Sequence, residues 1–359
     1  MDNFQQNHGI DPALVDFTIL ASWMDAQSHG AGPITTASLI AGGTQNVLVR
    51  LSRGGREYVL RRGPIHLRPG RNNVIRREMR LLGALAGSDV PHPAFIAGCG
   101  DEAVMGGAVF YLMEPVDGFN PGLGLLEPHA SSAALRHEMG LEAVSAIAAL
   151  GRVDYLAAGL DGYGKPEGFL ERQVPRWMSE LKSYNELPGY PGPQIPGLEA
   201  VARWLDEHRP PAWTPGTIHG DFHFGNIMFA RDSGRVAAVV DWEMSTNGDP
   251  LLDLGWILAM WPGTLDTPRG APPPLGPSLA DLGGLPSRSE VIARYREGSG
   301  RDLANVTWYE VLACFKQGIV LEGSHARAFA GLATQEIGDR LHATTMALFK
   351  KANELIGSA

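Results

Sequence analysis

Cysteine is scarce in this chain of 359 residues, and its two cysteines, Cys99 and Cys314, are far apart. No CxxC spacing occurs, so the pattern supports neither a disulfide framework nor a zinc site. Long apolar runs are also lacking, since no stretch approaches the roughly 20 residues that span a bilayer. The polar start, MDNFQQNHG, has no basic region followed by an apolar one, as a secretory signal has. From these absences we expect a cytoplasmic protein with no membrane partner.

Several catalytic signatures are missing as well. G-x-S-x-G, HExxH and a GxGxxG after a strand do not occur, which excludes the commonest hydrolase, metalloprotease and dinucleotide-binding patterns. The stretch from Gly159 to Lys165 has the spacing of a phosphate-binding P-loop, but Pro166 stands where that loop needs Ser or Thr. No predicted strand precedes it, so we exclude a P-loop nucleotide site.

Basic residues are fewer than acidic residues, which gives a net charge of −9, and they are unevenly distributed along the chain. Between Arg50 and Arg80 there are ten arginines and two acids, which leaves a net charge of −17 for the rest of the chain. This stretch is either a solvated basic face or a surface that attracts the phosphate groups of a ligand. Nucleic-acid binding is not expected, because the remainder is acidic and no basic stripe with interleaved aromatic residues is visible.

Length and apolar content favour two lobes, because 359 residues exceed the usual size of one core and 44% of them are hydrophobic. We predict an N-lobe over residues 1–114, with a helix at about 12–28, three antiparallel strands within 34–64, a main helix at about 73–86 and two further strands around FIAGCG and AVFYLMEPV. We predict a mainly helical C-lobe over residues 115–359, with helices at about 131–150, 170–186, 197–208, 250–260, 287–299 and 307–355. The Pro- and Gly-rich residues 262–286 are predicted to form an extended surface loop. The fold class is therefore α+β.

The most informative polar cluster is HGDFHFGN, which ends at Asn226, followed by DWE, which begins at Asp241. Between them, IMFARD and RVAAVV have the pattern of two short strands joined at Ser233-Gly234. Pairing the strands symmetrically about this turn places Asn226 opposite Asp241. Directly opposed residues have Cα atoms roughly 4.5 to 5.5 Å apart, so an amide oxygen and a carboxylate can share one Mg²⁺. Asp221 is expected to face the same space.

This order of polar groups is what phosphoryl transfer from a nucleoside triphosphate requires. Asp221 is predicted to be the base that accepts the proton of an incoming hydroxyl, and Asn226 and Asp241 to be the ligands of the metal ion. Each residue alone has a structural explanation, for example His219 as a buried core residue. The ordered set at hairpin spacing favours the functional interpretation. His219 and His223 are expected to be structural or substrate-facing, because Mg²⁺ prefers oxygen ligands.

Nucleotide-contacting residues are predicted in the N-lobe. Arg61 shares a strand face with Val59 and can reach phosphates, while Glu78 on the following helix can pair with Arg61 and fix its direction. Arg62 is the alternative if the strand register shifts by one. A surface salt bridge is the structural alternative for the Arg61 and Glu78 pair.

Four more positions are predicted to contact the nucleotide. Gly42 and Gly43 lie between the first two strands, where backbone N–H groups can approach phosphate, although a hairpin turn needs no ligand. The backbone of Met113 and Glu114, at the end of the fifth strand, is expected to meet an adenine edge.

In the C-lobe, we expect Asp253 to brace the HGD loop from behind.

With HGDFHFGN, DWE, GDPLLDLGW, YVLRR and the Arg77-Glu78 helix in this order, the chain resembles the aminoglycoside and choline kinase-like phosphotransferases. Within that group it is most similar to the branch found beside or fused to acyl-CoA dehydrogenases. The similarity extends from GGTQN to YEVLACFKQGIVLEG, and the HGD to DWE segment is its most specific part. The resemblance implies a protein-kinase-like bilobal fold with ATP in the cleft, Asp221 as catalytic base, and Mg²⁺ on Asn226 and Asp241.

The resemblance also implies a class of substrate. In that branch, small hydroxylated metabolites that include hydroxyacyl-CoA thioesters receive the γ-phosphate of ATP on an alcohol group, which suggests a functional link to an acyl-CoA dehydrogenase. One departure is Leu150-Gly151, where the branch often has a Leu-His pair, so no role for that histidine carries over. An aminoglycoside-type antibiotic kinase and a nucleotide-binding pseudokinase that regulates a partner remain as alternatives.

Overall fold

The computed structural model describes residues 10–40, 46–64, 70–265 and 273–358. The chain divides into two compact units. The first comprises Met1–Ser88, His92–Asp117 and Ala158–Leu160, and the second comprises Asp89–Pro91, Gly118–Ala157 and Asp161–Ala359. Gly42 and Gly43 lie outside the described residues. Of the helices that the described ranges form, none has the length and apolar content of a membrane span.

The first unit is built on a five-stranded antiparallel sheet with the strand order β1-β2-β3-β5-β4. Its elements are α1 (Phe17–Ala26), β1 (Ile34–Leu39), β2 (Val47–Arg53), β3 (Arg56–Arg62), α2 (Arg71–Leu85), β4 (Phe95–Cys99) and β5 (Phe110–Met113). Val49 and Leu51 alternate with the exposed Arg50, so one face of β2 is apolar. This face shares a core with Leu20 of α1, which explains why the helix and the sheet form together.

The second unit is mainly helical, as predicted. Its helices are α3 (Ala133–Arg152), α4 (Gln173–Ser183), α5 (Leu198–Glu207), α6 (Leu251–Ala259), α7 (Leu279–Leu282), α8 (Arg288–Ser299), α9 (Val306–Phe329) and α10 (Gln335–Gly357). Two antiparallel pairs accompany them: β6 (Gly216–Ile218) with β9 (Thr246–Gly248), and β7 (Ile227–Phe229) with β8 (Val236–Val239). Helix α9 packs against both α6 and α10.

Three details of the second unit differ from the sequence prediction. Residues 307–355, predicted as one helical stretch, form two helices, because Gly331 takes a positive φ of 70° and Thr334 caps α10 by accepting from the N–H of Ile337. The predicted loop at 262–286 contains α7, which Ser278 caps, while residues 266–272 lie outside the described ranges. The pair β6–β9 was not predicted, because three-residue strands carry too little alternation to be recognised.

Candidate active site

The hairpin that carries Asn226 pairs one residue away from the predicted register. Ile227 lies opposite Val239, and a bulge in the β7–β8 ladder follows after Met228. The loop at the tip is longer than two residues, because Ala230 closes it with a hydrogen bond to the carbonyl of Arg235. As a result Val240 lies opposite Asn226, and its N–H donates to the Asn226 carbonyl at 2.9 Å. The prediction that Asp241 is directly opposed to Asn226 is therefore wrong.

Asp241 lies just beyond the end of β8 and leaves the strand conformation altogether. Its φ of 65° and ψ of 61° are left-handed, which is uncommon for a residue with a Cβ. The left-handed residue redirects the chain into a short 3-10 turn, Trp242–Met244. The Trp242 indole anchors this turn by donating from Nε1 to the Val239 carbonyl at 2.9 Å. The direction of the Asp241 side chain is thus set by a turn and not by strand alternation.

His219 has a structural role in the loop, as expected. Its ring is fully buried, its Nε2 lies 2.9 Å from the Val240 carbonyl, and its Nδ1 accepts from the N–H of Asp221 at 3.3 Å. This pattern requires a proton on Nε2 and a lone pair on Nδ1. Val240 therefore bonds to Asn226 through its N–H and to His219 through its carbonyl. Val240, which directly follows β8, thus ties together the segments that carry the three predicted site residues.

Asp253 braces the loop from behind, and this prediction is confirmed. Its Oδ2 accepts from the N–H of His219 at 2.7 Å and its Oδ1 accepts from the N–H of Gly220 at 2.9 Å. Burial raises the pKa of Asp253, while these hydrogen bonds favour its charged form. Gly220 is required here, because its φ is 83° and an added Cβ would lie 2.5 Å from the Met244 carbonyl oxygen.

Lys316 is a residue of this site that the sequence interpretation missed. It lies on α9 and is buried, and its Nζ donates to the Gly220 carbonyl at 2.9 Å. The Nζ also lies 4.3 Å from the ring centroid of Trp256 and 5.4 Å from that of Trp177. Burial lowers the pKa of Lys316 to about 8, although Asp221 and Asp253 favour its charged form. A lysine inside the apolar run VLACFKQGIVL was the available signal, because lysine is almost never fully buried without a partner.

Asp221 and Asn226 lie together, as predicted. The Asn226 amide donates from Nδ2 to the Asp221 carbonyl at 2.9 Å and to Asp221 Oδ2 at 3.2 Å. The His223 Nε2 lies 3.6 Å from the same carboxylate oxygen. Burial on its own raises the pKa of Asp221, but the hydrogen bond and charge of His223 and the charge of Lys316 lower it to about 2. The carboxylate is therefore ionised at neutral pH and able to accept a proton.

The polar atoms of this segment suit a hard divalent cation. Because the Asn226 NH₂ group faces Asp221, its amide oxygen points away from that carboxylate. Amide and carboxylate oxygens are the ligands that Mg²⁺ prefers. The donor set of Asn226 and Asp241 thus fits magnesium, and the imidazole of His219 is already used within the fold. This part of the second unit therefore offers a carboxylate that can accept a proton and oxygen atoms that can bind a metal ion.

In the first unit, Arg61 and Glu78 form the predicted ion pair. Arg61 Nε lies 2.7 Å from Glu78 Oε2 and its second guanidinium nitrogen lies 2.9 Å from Oε1, which is a bidentate geometry. Tyr111 also donates to Glu78, at 3.0 Å. Because Glu78 is buried, this is not a surface salt bridge. Arg62 instead donates to the carbonyls of Gly63 and Leu14, so the pairing of Arg61 settles which arginine accompanies Glu78.

At the end of β5, the hydrogen bonds of Met113 and Glu114 limit which of their groups can contact a nucleotide. Met113 pairs with Val59 and with Phe95 in the sheet. The N–H of Glu114 donates to the Ala94 carbonyl at 2.9 Å, and its side chain pairs with Arg56 at 2.7 Å. An adenine contact from the backbone of Glu114 would therefore have to come from its carbonyl.

Similar proteins place these observations in a family. Residues 36–304 match the family model APH, described as a phosphotransferase enzyme family. A relative from Gallus gallus, named acyl-CoA dehydrogenase family member 11, is 30% identical over 325 residues, which cover 87% of this chain and 39% of that protein. The chain thus spans about two fifths of the length of that curated relative.

Solved structures agree with this assignment. A crystal structure from Ralstonia eutropha, described as a candidate aminoglycoside phosphotransferase, is 30% identical with a TM-score of 0.76, covering 94% of this chain and 98% of that chain. A thermostable mutant of aminoglycoside phosphotransferase APH(4)-Ia, in a ternary complex with ADP and hygromycin B, is 13% identical with a TM-score of 0.53, covering 92% and 98%. The second likeness concerns the fold alone. The kinase-like fold and the resemblance inferred from the motifs are confirmed, and the chain belongs to the phosphotransferase enzyme family of the aminoglycoside and choline kinase type.

Proposed function

We propose that this protein is an ATP- and Mg²⁺-dependent kinase that transfers the γ-phosphate of ATP to an alcohol group of a small metabolite. The observation that carries the proposal is the state of Asp221. This carboxylate is ionised and accepts a hydrogen bond at 3.2 Å from the amide of Asn226, whose oxygen is suited to a metal ion. A positioned, ionised base next to a metal-binding group is what transfer to a hydroxyl requires.

In this proposal each predicted residue has one role. Asp221 accepts the proton of the acceptor hydroxyl, and Asn226 and Asp241 hold Mg²⁺, which neutralises charge on the phosphates when bound. Arg61, directed by Glu78, contacts phosphate oxygens. The remaining proposed nucleotide contacts come from the backbone of Gly42, Gly43, Met113 and Glu114. Residues 1–114 form the nucleotide-binding lobe and residues 115–359 the lobe that carries the base and the acceptor pocket.

For the acceptor we propose a hydroxyacyl-CoA thioester. The names of relatives such as acyl-CoA dehydrogenase family member 11 support this class, because the matched segment is about two fifths of a protein named for acyl-CoA chemistry. A functional link to an acyl-CoA dehydrogenase follows from the same proposal. An aminoglycoside is the alternative acceptor, favoured by the description of the Ralstonia eutropha structure. A pseudokinase that only binds nucleotide is disfavoured by the retained Asp221, Asn226 and Asp241.

The acceptor is tested by measuring ATP consumption over a panel of hydroxyacyl-CoA esters, the matching free hydroxy acids and aminoglycosides. We expect turnover with the CoA esters and little with the free acids. Turnover with aminoglycosides alone would replace the proposed acceptor class. Nucleotide binding without turnover on any compound in the panel would favour a regulatory pseudokinase.

Asp221→Asn is expected to lower kcat by about 10² to 10⁴, because a general base contributes a factor of this size. Nucleotide affinity should remain nearly unchanged, since the substitution keeps the volume and polarity of the side chain. Single-turnover kinetics and nucleotide titration measure the two quantities separately. Wild-type turnover in this variant would remove Asp221 from the role of base.

Asp241→Ala is expected to act on a different quantity. Without this carboxylate, Mg²⁺-dependent affinity for ATP should fall, while metal-free nucleotide binding changes little. Titration of a fluorescent ATP analogue with and without Mg²⁺ distinguishes these effects. Equal and small effects of Asp221→Asn and Asp241→Ala would contradict both assigned roles.

A further inference from the structure

Two histidines flank a buried carboxylate where helix α9 packs against helix α10. Glu322 is fully buried, and its Oε2 lies 2.7 Å from His342 Nδ1 while its Oε1 lies 3.2 Å from His325 Nδ1. One potential ligand atom from each of the three residues lies within 4.8 Å of the other two. The two imidazole rings stack at 4.3 Å between their centroids. No residue of this cluster belongs to the proposed phosphotransfer site.

The spacing of the residues explains how the cluster forms. Glu322 and His325 are three residues apart on α9, so they lie on one face of that helix. His342 is contributed by α10, which packs along α9. Both helices are long and rigid elements, so the three side chains are positioned by regular backbone and not by loops. This is the arrangement in which helical bundles build metal sites from Glu-x-x-His pairs.

The surroundings of the cluster are those of metal ligands and their supporting groups. Asp339 Oδ1 lies 3.6 Å from His325 Nε2, on the opposite side of the ring from Glu322. With Nδ1 bound to a metal ion, Nε2 would carry the proton and could donate it to this carboxylate. Tyr190 donates to Glu322 Oε1 at 2.7 Å and so helps to orient this carboxylate.

We propose that Glu322, His325 and His342 form a binding site for a divalent transition-metal ion, with Zn²⁺ as its natural occupant. Two imidazole nitrogens exclude Mg²⁺ and Ca²⁺ as preferred ions, because these bind almost entirely through oxygen. Zinc accepts two histidines and one carboxylate at about 2.0 to 2.2 Å and completes a tetrahedral site with one water molecule. Asp339 is a positioning residue of the site.

The absence of CxxC spacing argued against a zinc site from the sequence, and that interpretation considered cysteine ligands only. Here the candidate ligands are nitrogen and oxygen atoms. The signal was present as E-x-x-H inside the predicted helical stretch 307–355, with a further histidine seventeen residues on. The sequence predicts one helical stretch over residues 307–355, and only the break near Gly331 lets α10 fold back against α9 and bring His342 to Glu322.

The experiment uses the full chain, freed of metal by dialysis against a chelator and then titrated with Zn²⁺ in competition with a chromophoric chelator. Excess Mg²⁺ is present throughout, so that oxygen-only sites are occupied. We expect one Zn²⁺ per chain, confirmed by elemental analysis after gel filtration. Co²⁺ should give visible absorption bands of four-coordinate intensity. A wild-type protein that binds no Zn²⁺ and shows no such bands overturns the proposal.

Variants assign the site to these residues. His342→Ala, which removes a ligand, should weaken Zn²⁺ binding by more than the roughly 10- to 100-fold expected when a supporting residue such as Asp339 is changed to Asn. The Co²⁺ spectrum should change in both variants, which loss of packing alone would not produce. His208→Ala is the matched control, because His208 is exposed at the end of α5, where its ring stacks on Trp204. Equal Zn²⁺ affinity in wild type, His342→Ala and His208→Ala would overturn the proposal.

Discussion

Lys316 shows how one side chain positions the HGD loop from inside the second unit. Its ammonium group donates to the Gly220 carbonyl and faces the rings of Trp256 and Trp177. A desolvated cation over an aromatic ring is stabilised by about 2 kcal/mol, which offsets part of the cost of burial. The same charge favours the ionised form of Asp221. Lys316 therefore supports both the geometry and the electrostatics of the proposed base.

Lys316→Met is expected to change how stability depends on pH. The folded state lowers the pKa of Lys316 to about 8, whereas an unfolded lysine keeps its proton until about pH 10.4. Between these values the unfolded state binds more protons, so the contribution of Lys316 to the free energy of unfolding rises with pH. Wild type should therefore gain stability relative to Lys316→Met between pH 7 and roughly pH 9.5, measured by urea unfolding.

The control for this measurement is Lys182→Met, because Lys182 is exposed on α4. It should leave the pH dependence of wild type unchanged. A difference between wild type and Lys316→Met that stays constant over the same pH range would contradict the lowered pKa.

At the scale of elements, the contact between α6 and α9 depends on one glycine. An added Cβ at Gly255 would lie 2.3 Å from the Tyr309 carbonyl oxygen, which is backbone and cannot rotate away. The two helix backbones therefore approach closely at this point. The contact matters for the site, because α6 carries Asp253 and α9 carries Lys316. Both residues hold the same loop.

Gly255→Ala is expected to destabilise the protein by about 1 to 3 kcal/mol, because overpacking forces the two backbones apart. Gly83→Ala is the matched control, since Gly83 is exposed on α2 and an added Cβ there meets nothing within 4 Å. That change should be neutral or stabilise the protein by up to about 1 kcal/mol. Thermal unfolding of both variants tests the contrast. Equal thermal unfolding midpoints for Gly255→Ala and Gly83→Ala would show that the contact between α6 and α9 accommodates a Cβ without cost.

Elements with a strong periodicity of apolar residues, or with glycine pairs at their turns, could be predicted from the sequence. The β2–β3 turn at Gly54-Gly55 and helix α2 appear where the pattern placed them. The β7–β8 register could not be predicted from the sequence. A bulge and a longer loop change the number of residues between paired positions, but they leave the apolar pattern near Ile227 unchanged. The role of Lys316 was likewise hidden, because it depends on a contact 96 residues away in the chain.

For the molecule as a whole, the concentration of arginine between residues 50 and 80 has a structural explanation. At least five of its ten arginines form ion pairs within the described part of the first unit. The pairs are Arg50–Glu57, Arg53–Asp25, Arg56–Glu114, Arg61–Glu78 and Arg76–Glu102. Their positive charge is largely balanced by carboxylates close by in space. These five arginines therefore do not form a basic surface free of neighbouring carboxylates.

We expect no measurable affinity for duplex DNA at low salt. Non-specific binding depends on unpaired cations that release counterions from phosphates, and the net charge of this chain is −9. Fluorescence anisotropy of a labelled duplex at about 50 mM salt should stay flat up to micromolar protein. Saturable binding that weakens steeply with added salt would contradict the neutralised arginine stretch.

At Asp241, the residue that would give the most stable turn differs from the residue that the proposed catalysis requires. A side chain in that conformation costs about 1 to 2 kcal/mol that glycine does not incur. Glycine would thus suit the turn better than the native residue, yet it would delete a proposed magnesium ligand. A laboratory search for heat-resistant versions of this enzyme, conducted without an activity screen, would accumulate glycine at this position and return well-folded, inert protein.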